Sequence, residues 1–285
     1  AYRWRQWMRM TSLKLAEPSV ELSFWNLGRL LSAGIRREVP WFDPHLHGAG
    51  YWCWKPFIML RELESLQEGD YLLYTDAGRP PGTLFRHSVQ PLVQWLEEKG
   101  QDILPGVNIS YYTGDLSRWC KQSVFDALNL DIRDFEHSPL IQPTPCFLKK
   151  SEESVRILRE WMELCRQFSL VSSPTPEEKS RCRDNFADHT HDQTLWSLVA
   201  AMNHLDCLYS GKGVIHLDGR HPFLRHPGFD DKDPDFFLGE LGAERVERPL
   251  LTFLSGVHHA IAFCEKAVNK LSKIAGLGPR KGFYG

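Results

Sequence analysis

The sequence predicts an α/β protein, a mixed sheet flanked by helices, and two kinds of segment point to this class. Segments with apolar residues at helical spacing recur along the 285 residues, most clearly at 151–168. Short apolar or alternating segments, which are typical of strands, lie between them at 71–75 and 107–112. Because helices and strands alternate along the chain, we expect one layered domain over 1–285.

Residues 1–47 are predicted to form a helical N-terminal segment. Trp4, Trp7 and Met8 fit one face of a helix, which favours a helix that docks on the core through its tryptophans. The arginines around these residues leave contact with a membrane surface or a polyanion as the alternative. The prolines close to residue 42 predict that the segment ends in a loop.

The string GAGYWCWKP predicts a glycine-flanked aromatic turn that ends near Lys55. A helix at 57–66 follows, and the strand 71–75 then leads directly into Asp76. A buried strand of an open α/β sheet often delivers a ligand-binding acid at its carboxyl end, so Asp76 is a candidate ligand for Mg²⁺ or Mn²⁺. The alternative is an aspartate that caps the turn before Gly78.

Lys55 lies between Trp54 and Pro56, which is an unusual environment for a lysine that is simply solvated. One interpretation is that its ammonium group binds a diphosphate as a point charge. The other is that its aliphatic chain packs over Trp52 or Trp54. The local sequence does not favour one over the other.

The remaining elements follow from the same patterns of spacing and turn residues. Helices are predicted at 89–99, 119–128, 151–168, 194–202 and 250–274, extended chain at 140–148, and loops at 170–185 and 211–235. Residues 250–285 are therefore expected to form a C-terminal helix and tail.

The string HTHDQ at 189–193 stands just before a predicted apolar helix. Asp192 is well placed to cap that helix, which would give it a structural role. The functional alternative places Asp192 and Gln193 in a polar site that contacts sugar hydroxyls. His189 and His191 also suggest a metal site, although the sequence shows no convincing set of further ligands.

The loop at 219–228 combines two arginines with two histidines between glycines and prolines, namely Arg220, His221, Arg225 and His226. A mobile lid that closes on a diphosphate would need this chemistry. The alternative is an exposed loop without a binding role.

Composition and charge exclude several classes of protein. The net charge of −2 gives no long-range attraction to nucleic acid. Seven cysteines without a CxxC pair argue against zinc ribbons and disulfide frameworks, and they favour a reducing compartment. No apolar run approaches the roughly 20 residues of a membrane span. We therefore expect a cytoplasmic protein that binds no nucleic acid and has no transmembrane segment.

In order along the chain, GAGYWCWKP, GDYLLYTDAG and HTHDQTLWSL resemble the motifs of a family of bacterial and viral glycosyltransferase-like proteins, found in surface-polysaccharide gene sets. Trp119, Lys121 and Gln122 match a Trp-x-Lys element of the family, and the Ser-Leu pair at 197–198 follows the HDQ string. The resemblance covers about 48–201, a little over half of the chain.

The resemblance implies a GT-A-type, Rossmann-like fold that transfers a sugar from a nucleoside-diphosphate sugar to a glycan, glycolipid or protein acceptor. It implies Mn²⁺ or Mg²⁺ as the cofactor, which would neutralise the leaving nucleoside diphosphate. Carried over by motif, Asp192 and Gln193 would be catalytic. The donor pocket would comprise Tyr51, Trp52, Trp54, Lys55, Lys121 and Arg220, and the metal ligands would be Asp76, His221 and His226.

Two features depart from the family pattern. The string Asp76-Ala77-Gly78 has no second acid at the DxD spacing, and no strand that would hold the nucleotide base is obvious before residue 48. One alternative is therefore a non-catalytic sugar-binding protein on a degenerate transferase fold. Another is a metal-dependent hydrolase that uses His189, His191 and Asp192 with a late histidine.

The chemistry and location of a transferase leave further alternatives. An inverting enzyme needs a general base close to the acceptor hydroxyl, and Asp192 is the candidate. A retaining enzyme needs no such base, and the sequence does not decide between them. In the cell we expect the cytoplasm, with peripheral association at the inner face of the membrane as an additional expectation.

Overall fold

The structure is a computed structural model, and it describes residues 2–76, 87–108, 115–209, 249–250, 254 and 257. Contacts within the chain divide it into two compact units. The larger comprises Trp25–Tyr74 and Leu96–Pro222, and the smaller comprises Ala1–Phe24, Thr75–Trp95 and Phe223–Gly285. The expectation of a single domain over 1–285 stays a prediction, because a division by contacts does not show whether either unit folds alone.

Helices dominate the regular structure of the described residues. In chain order they are α1 (Tyr2–Ala16), α2 (Leu27–Ser32), α3 (Ile35–Glu38), α4 (Gly48–Tyr51), α5 (Trp54–Ser65), α6 (Gln90–Lys99), α7 (Gln122–Leu128), α8 (Glu152–Arg166), α9 (Phe168–Val171), α10 (Pro176–Ser180) and α11 (Asp192–Met202), with 3₁₀ turns at Leu116–Arg118 and Ile132–Phe135. The helices predicted at 57–66, 89–99, 119–128, 151–168 and 194–202 are confirmed, with ends that differ by a few residues.

The described strands are short and form two three-stranded sheets. In the first sheet, β1 (Tyr71–Tyr74) and β2 (Ile103–Leu104) both pair antiparallel with β5 (Cys146–Lys149), which lies between them. In the second, the central strand β3 (Val107–Asn108) pairs antiparallel with β4 (Ile141–Gln142) and parallel with β6 (Leu208–Tyr209). The broad α/β class is thus confirmed.

Strand β1 forms as predicted, but its environment differs from the expectation of a buried strand. It is an edge strand, and all four of its residues are half-buried. Tyr71 stacks on Phe147 of β5 with ring centroids 5.4 Å apart. Because β1 belongs to an antiparallel sheet, the argument from the shared carboxyl edge of parallel strands no longer supports Asp76 as a ligand.

Helix α8 is the best-predicted element of the chain. The Ser151 hydroxyl accepts a hydrogen bond from the Ser154 N–H, and the Ser154 hydroxyl accepts one from the Ser151 N–H, as a capping box requires. Leu158, Trp161 and neighbouring apolar side chains form a buried face. This face packs against α5 and α11, so α8 anchors both helices that hold the candidate site.

Helix α1 belongs to the smaller unit and docks differently from its prediction. Met8 is fully buried and contacts Leu254, whereas Trp7 is 51% exposed. Ser12 and Ala16, at four-residue intervals after Met8, are also buried. Since each helical residue turns the side chain by about 100°, a face centred on these positions points Trp7 away. The expectation that Trp7 anchors the helix is therefore wrong.

The segments predicted as loop and extended chain contain more order than expected. The surface loop predicted at 170–185 includes α10, which has a capping box between Thr175 and Glu178. Its TPEE string carries the signature of a helix start, with proline in the first turn. The extended run 140–148 contains β4 and most of β5, with a cis peptide bond before Pro145 between them.

Several predictions concern residues that the structure does not describe. The loops at 211–235 and 219–228 lie outside the described residues, and so does most of the predicted C-terminal helix and tail, 250–285. Positions 250, 254 and 257 are helical. Across the described ranges, no helix combines the length and the apolar content that crossing a membrane requires.

Candidate functional site

The candidate site begins with an aromatic turn whose backbone depends on glycine. Gly48, Ala49, Gly50, Tyr51 and Trp52 all have positive φ, between 52° and 89°. A Cβ atom on Gly48 would lie 2.4 Å from the Trp52 ring, and one on Gly50 would lie 2.9 Å from Phe42. These contacts explain why the predicted turn needs both glycines, and the turn closes where Trp54 Nε1 donates to the Gly48 carbonyl at 3.3 Å.

The turn delivers Lys55 to a buried ion pair with Asp192. Lys55 is the second residue of α5 and Asp192 is the first residue of α11. The Lys55 Nζ and Asp192 Oδ2 atoms are 2.9 Å apart, and the two side chains are only 5% and 3% exposed. Removing each ion from water costs several kcal/mol, which only close pairing offsets. Two motifs that are distant in sequence therefore meet at this pair.

The contacts of Lys55 match the packing interpretation, and the interpretation that it binds a diphosphate stays a prediction. The Nζ atom lies 5.9 Å from the centroid of the Trp52 ring, as the packing interpretation requires. Its ammonium group is also held by a carboxylate in a buried environment, which a simple snorkelling lysine would not show. The indole nitrogen of Trp161 donates to the Asp192 backbone carbonyl at 3.0 Å, which helps to fix the position of Asp192.

The residue that precedes α11 has an unusual backbone. His191 occupies the N-cap position with φ 56° and ψ −123°, and its side chain makes no capping hydrogen bond. The hypothesis that Asp192 caps the helix is therefore wrong by one position. Because Asp192 is the first helical residue, its side chain is available for Lys55.

The His191 ring lies within a cluster of aromatic rings. Its centroid is 4.7 Å from that of Tyr51, 5.4 Å from that of His47 and 6.0 Å from that of Trp52. His47 in turn meets Trp52 edge-on at 4.9 Å. The Nδ1 atom of His191 is 2.9 Å from the Val171 carbonyl oxygen. The turn and the start of α11 therefore form one packed surface of rings beside the ion pair.

Lys121 is the second buried lysine of the site. Its side chain is fully buried, and Nζ donates to the Ser172 carbonyl at 3.1 Å. Glu178 of α10 provides a carboxylate oxygen 3.3 Å away, and Ser123 holds that same oxygen at 2.6 Å. The Lys121 charge acts on His189 and lowers its pKa, so the middle motif lies beside the HTHDQ string.

Burial sets the protonation of the histidines and cysteines. Burial lowers the pKa of His189 well below its usual value, and the charges of His191 and Lys121 lower it further. Burial also lowers the pKa of His191. In contrast, burial raises the pKa of the Cys53 and Cys165 thiols, and the Asp192 carboxylate adds to both shifts. At neutral pH the site therefore contains neutral imidazoles and protonated thiols.

The pKa of His189 predicts a pH dependence of stability. In the folded chain this pKa lies below the unfolded value of 6.5, so below pH 6.5 the unfolded state binds more protons. The free energy of unfolding should fall as the pH drops below 6.5, with a slope that approaches about 1.4 kcal/mol per pH unit at about one to two units lower. Urea unfolding at pH 7.5, 6.5 and 5.5 would measure this fall. His189→Gln should reduce it to the part that comes from His191, whose pKa is also lowered, and a flat wild-type profile would contradict a buried neutral His189.

Of the remaining predicted site residues, those that the structure describes are not part of the ion pair or the ring cluster. Gln193 is half-buried, and its Nε2 atom is buried with no hydrogen-bond partner in the described part of the chain. Asp76 is half-buried, two residues after the end of β1, and belongs to the smaller unit. Arg220, His221 and His226 lie outside the described residues.

The described residues fit a metal ion only in part. Within the described ranges, no group of three His, Cys, Asp or Glu side chains could hold a metal ion. Mg²⁺ commonly binds through one or two carboxylates and completes its shell with water and substrate phosphates. Asp76 alone therefore fits such an ion only when phosphate oxygens supply the remaining ligands. The pair His189 and His191 gains no third ligand in this part of the chain.

Sequence reasoning missed three partners in the site: His47, Glu178 and the Ser172 carbonyl. His47 directly precedes the GAGYW string, and this position could have indicated that it contacts the turn. Glu178 was hidden in a segment predicted as loop, although its capping box could have been found from TPEE. The Ser172 carbonyl is a backbone group, so no residue type could have revealed it.

Together, these residues define an α/β protein whose larger unit contains a buried site of paired charges and aromatic rings. No family model, curated protein or solved structure matches the chain. The choice between functions therefore depends on the chemistry of the site residues themselves.

Proposed function

We propose that the chain is a glycosyltransferase that moves a sugar from a nucleoside-diphosphate sugar to a glycan, glycolipid or protein acceptor. The observation that supports this most is the buried Lys55–Asp192 pair. Replacing a buried ion pair with apolar residues is often neutral or stabilising. A chain that keeps these charges where two distant motifs meet is better explained by binding than by stability.

The site residues suit the parts of such a donor. The Asp192 carboxylate, held by Lys55, would accept hydrogen bonds from sugar hydroxyls. The Gln193 Nε2 atom, which has no hydrogen-bond partner among the described residues, would donate one. Tyr51 and Trp52 offer ring faces against which a sugar can pack. Lys55 and Lys121 supply positive charge near the diphosphate. If the reaction is inverting, Asp192 would take the proton of the acceptor hydroxyl.

The finer fold and the cofactor belong to the same proposal. By the resemblance of the motifs, we propose a GT-A-like fold, with Asp76 as a ligand of Mn²⁺ or Mg²⁺, Arg220 as a donor-binding residue and His221 or His226 as a further ligand. Such an ion, when bound, would neutralise the departing nucleoside diphosphate as a Lewis acid. We place the protein in the cytoplasm or at the inner face of the membrane.

A non-catalytic sugar-binding protein is the second candidate function. The absence of a second acid after Asp76 at the DxD spacing favours it. Binding of a nucleotide-sugar without its turnover would distinguish this candidate from a transferase. The metal-dependent hydrolase stays a prediction, because the late histidine that it needs lies outside the described residues.

The proposed function predicts a ligand-dependent rise in melting temperature. We would measure it with UDP, GDP, UDP-glucose, UDP-galactose and GDP-mannose, each with and without Mn²⁺. A ligand at 100 times its dissociation constant stabilises the folded state by about 2.7 kcal/mol. One nucleoside diphosphate and its sugar conjugate should raise the melting temperature, and Mn²⁺ should increase the shift.

Two variants sharpen this measurement. Asp76→Asn should remove the part of the shift that depends on Mn²⁺ and leave the remainder. Asp184→Asn, an exposed aspartate in the larger unit, is the matched control and should keep the whole shift. If no nucleotide or nucleotide-sugar changes the melting temperature of the wild type, the proposed function is wrong.

A further inference from the structure

His191 has a backbone conformation that needs an explanation. Its φ of 56° with ψ of −123° lies in a region that residues with a Cβ atom rarely adopt. Such strain costs free energy, and it persists at functional sites where the surrounding structure enforces it. Glycine at this position would make the same turn without strain. The presence of histidine therefore indicates that the imidazole itself is required.

Capping of α11 does not account for this imidazole. The His191 side chain makes no capping hydrogen bond, and the helix begins with Asp192. What the strained backbone achieves is a joint placement of two neighbouring side chains. It directs the His191 ring towards Tyr51, 4.7 Å away between centroids, while Asp192 reaches Lys55 at 2.9 Å.

The hydrogen bond at Nδ1 determines what the other ring nitrogen can do. Nδ1 is 2.9 Å from the Val171 carbonyl oxygen, which can only accept. Nδ1 therefore carries the proton. Because burial favours the neutral ring, Nε2 is an acceptor. The ring orientation is fixed both by this bond and by the Tyr51, His47 and Trp52 rings.

Two residues close in sequence to His191 have buried polar atoms that lack hydrogen-bond partners among the described residues. The side chain of Gln193 has a buried Nε2 without a hydrogen-bond partner among the described residues. His189 is 2% exposed, and its ring centroid is 5.7 Å from that of His191. The Leu170 backbone interacts with the His189 ring, but neither ring nitrogen makes a hydrogen bond of normal geometry within the described part. Buried polar groups normally have partners, so a cluster of this kind points to a polar ligand.

We propose that His191 is a substrate-binding residue whose Nε2 accepts a hydrogen bond from a hydroxyl group of the bound sugar. This inference rests on the proposed function and adds a residue to its site. The ring, fixed by Val171 and the aromatic turn, selects for the sugar part of the donor. It does not contact the diphosphate, which attracts cations and not a neutral acceptor.

The test compares His191→Gly with His204→Gly. His204 follows α11 at its other end, is exposed and also has a positive φ of 52°. It is therefore a control for the same substitution at a second histidine with positive φ. Melting temperatures and calorimetric titrations with UDP, UDP-glucose, UDP-galactose, GDP and GDP-mannose would be measured for both variants and the wild type.

The expected result separates the sugar from the nucleotide. His191→Gly should melt no lower than the wild type, because relief of strain offsets the lost ring contacts. It should bind the nucleotide-sugar about tenfold more weakly, as the loss of one hydrogen bond implies, and bind the nucleoside diphosphate unchanged. His204→Gly should keep both affinities. Unchanged affinity of His191→Gly for the nucleotide-sugar would overturn the inference.

The stability measurement keeps the two proposals apart. If the wild type binds none of the five ligands, the proposed function fails, and the melting temperatures then decide the role of the imidazole. A marked destabilisation by His191→Gly, absent in His204→Gly, would assign the ring to packing and overturn the inference. An unchanged or raised melting temperature would retain His191 as a residue kept for a ligand.

Discussion

Lys55→Met should lower the free energy of unfolding by about 3–5 kcal/mol and abolish any response to nucleotide-sugars. The reason is that Asp192 would lose the Lys55 charge that offsets its own, in a side chain only 3% exposed. Asp192→Asn should have an effect in the same direction, since it removes the carboxylate charge that faces the buried Lys55 ammonium. Urea unfolding followed by circular dichroism would measure both losses.

A surface pair of the same two residue types is the matched control. Lys99 Nζ and Asp206 Oδ2 are 2.8 Å apart, close to the separation in the buried pair, but their side chains are 44% and 59% exposed. Exposed pairs contribute roughly 0–1 kcal/mol, so Lys99→Met should change stability little. Equal losses for Lys55→Met and Lys99→Met would show that the Lys55–Asp192 pair is not desolvated.

The double variant Lys55→Met/Asp192→Leu separates stability from binding. Replacing both side chains by apolar ones removes both buried charges, so most of the stability lost in Lys55→Met should return. The response to nucleotide-sugars should not return, because the proposed carboxylate is gone. If the double variant bound a nucleotide-sugar like the wild type, the pair would be a packing device and the proposed function would lose its main support.

Trp161→Ala should lower the free energy of unfolding by about 3–5 kcal/mol. Trp161 is fully buried, and its ring centroid lies 4.5 Å from that of Trp196 in α11. The substitution would open a cavity between α8 and α11, and it would leave the Asp192 carbonyl without the indole donor at 3.0 Å. Because α8 also packs against α5, both helices that hold the ion pair should loosen.

Circular dichroism is the suitable probe for this prediction, because tryptophan fluorescence changes with the substitution itself. Trp7→Ala is the matched control, since the Trp7 side chain is 51% exposed. Exposed substitutions usually fall within about 0.5 kcal/mol of the wild type. A Trp161→Ala variant as stable as Trp7→Ala would show that the buried face of α8 is wrongly assigned.

Local chemistry made several elements predictable. Helix α8 was found because its apolar face repeats at 3.6 residues and Ser151 is an N-cap residue, both of which are properties of neighbouring positions. The GAGYW turn was found for a similar reason, since glycines such as Gly48 and Gly50 adopt a left-handed backbone without strain. The position of Trp7 was predicted wrongly because neighbouring residues on a helix point about 100° apart. The spacing of apolar residues does not show which of Trp7 and Met8 faces the core.

Contacts between distant segments were beyond local reasoning. The sequence singled out Lys55 and Asp192 separately, but nothing in either string indicated that they form an ion pair. Glu178 was missed as the partner of Lys121 because its segment was interpreted as a loop. The edge position of β1 was also missed. Which strands pair with β1 depends on the rest of the sheet and not on the residues of β1 themselves.

From its residues alone, this chain could be assigned to the α/β class, with α5, α8 and α11 in place and the three motif strings marked as sites. Those conclusions depend on periodicity, caps and turn chemistry, which act over a few positions. Only the packing of α5 and α11 on α8 decided that Asp192 faces Lys55 and that His191 takes the strained turn. Desolvation makes the energy of these groups depend on what surrounds them in space, and a linear sequence does not specify that environment.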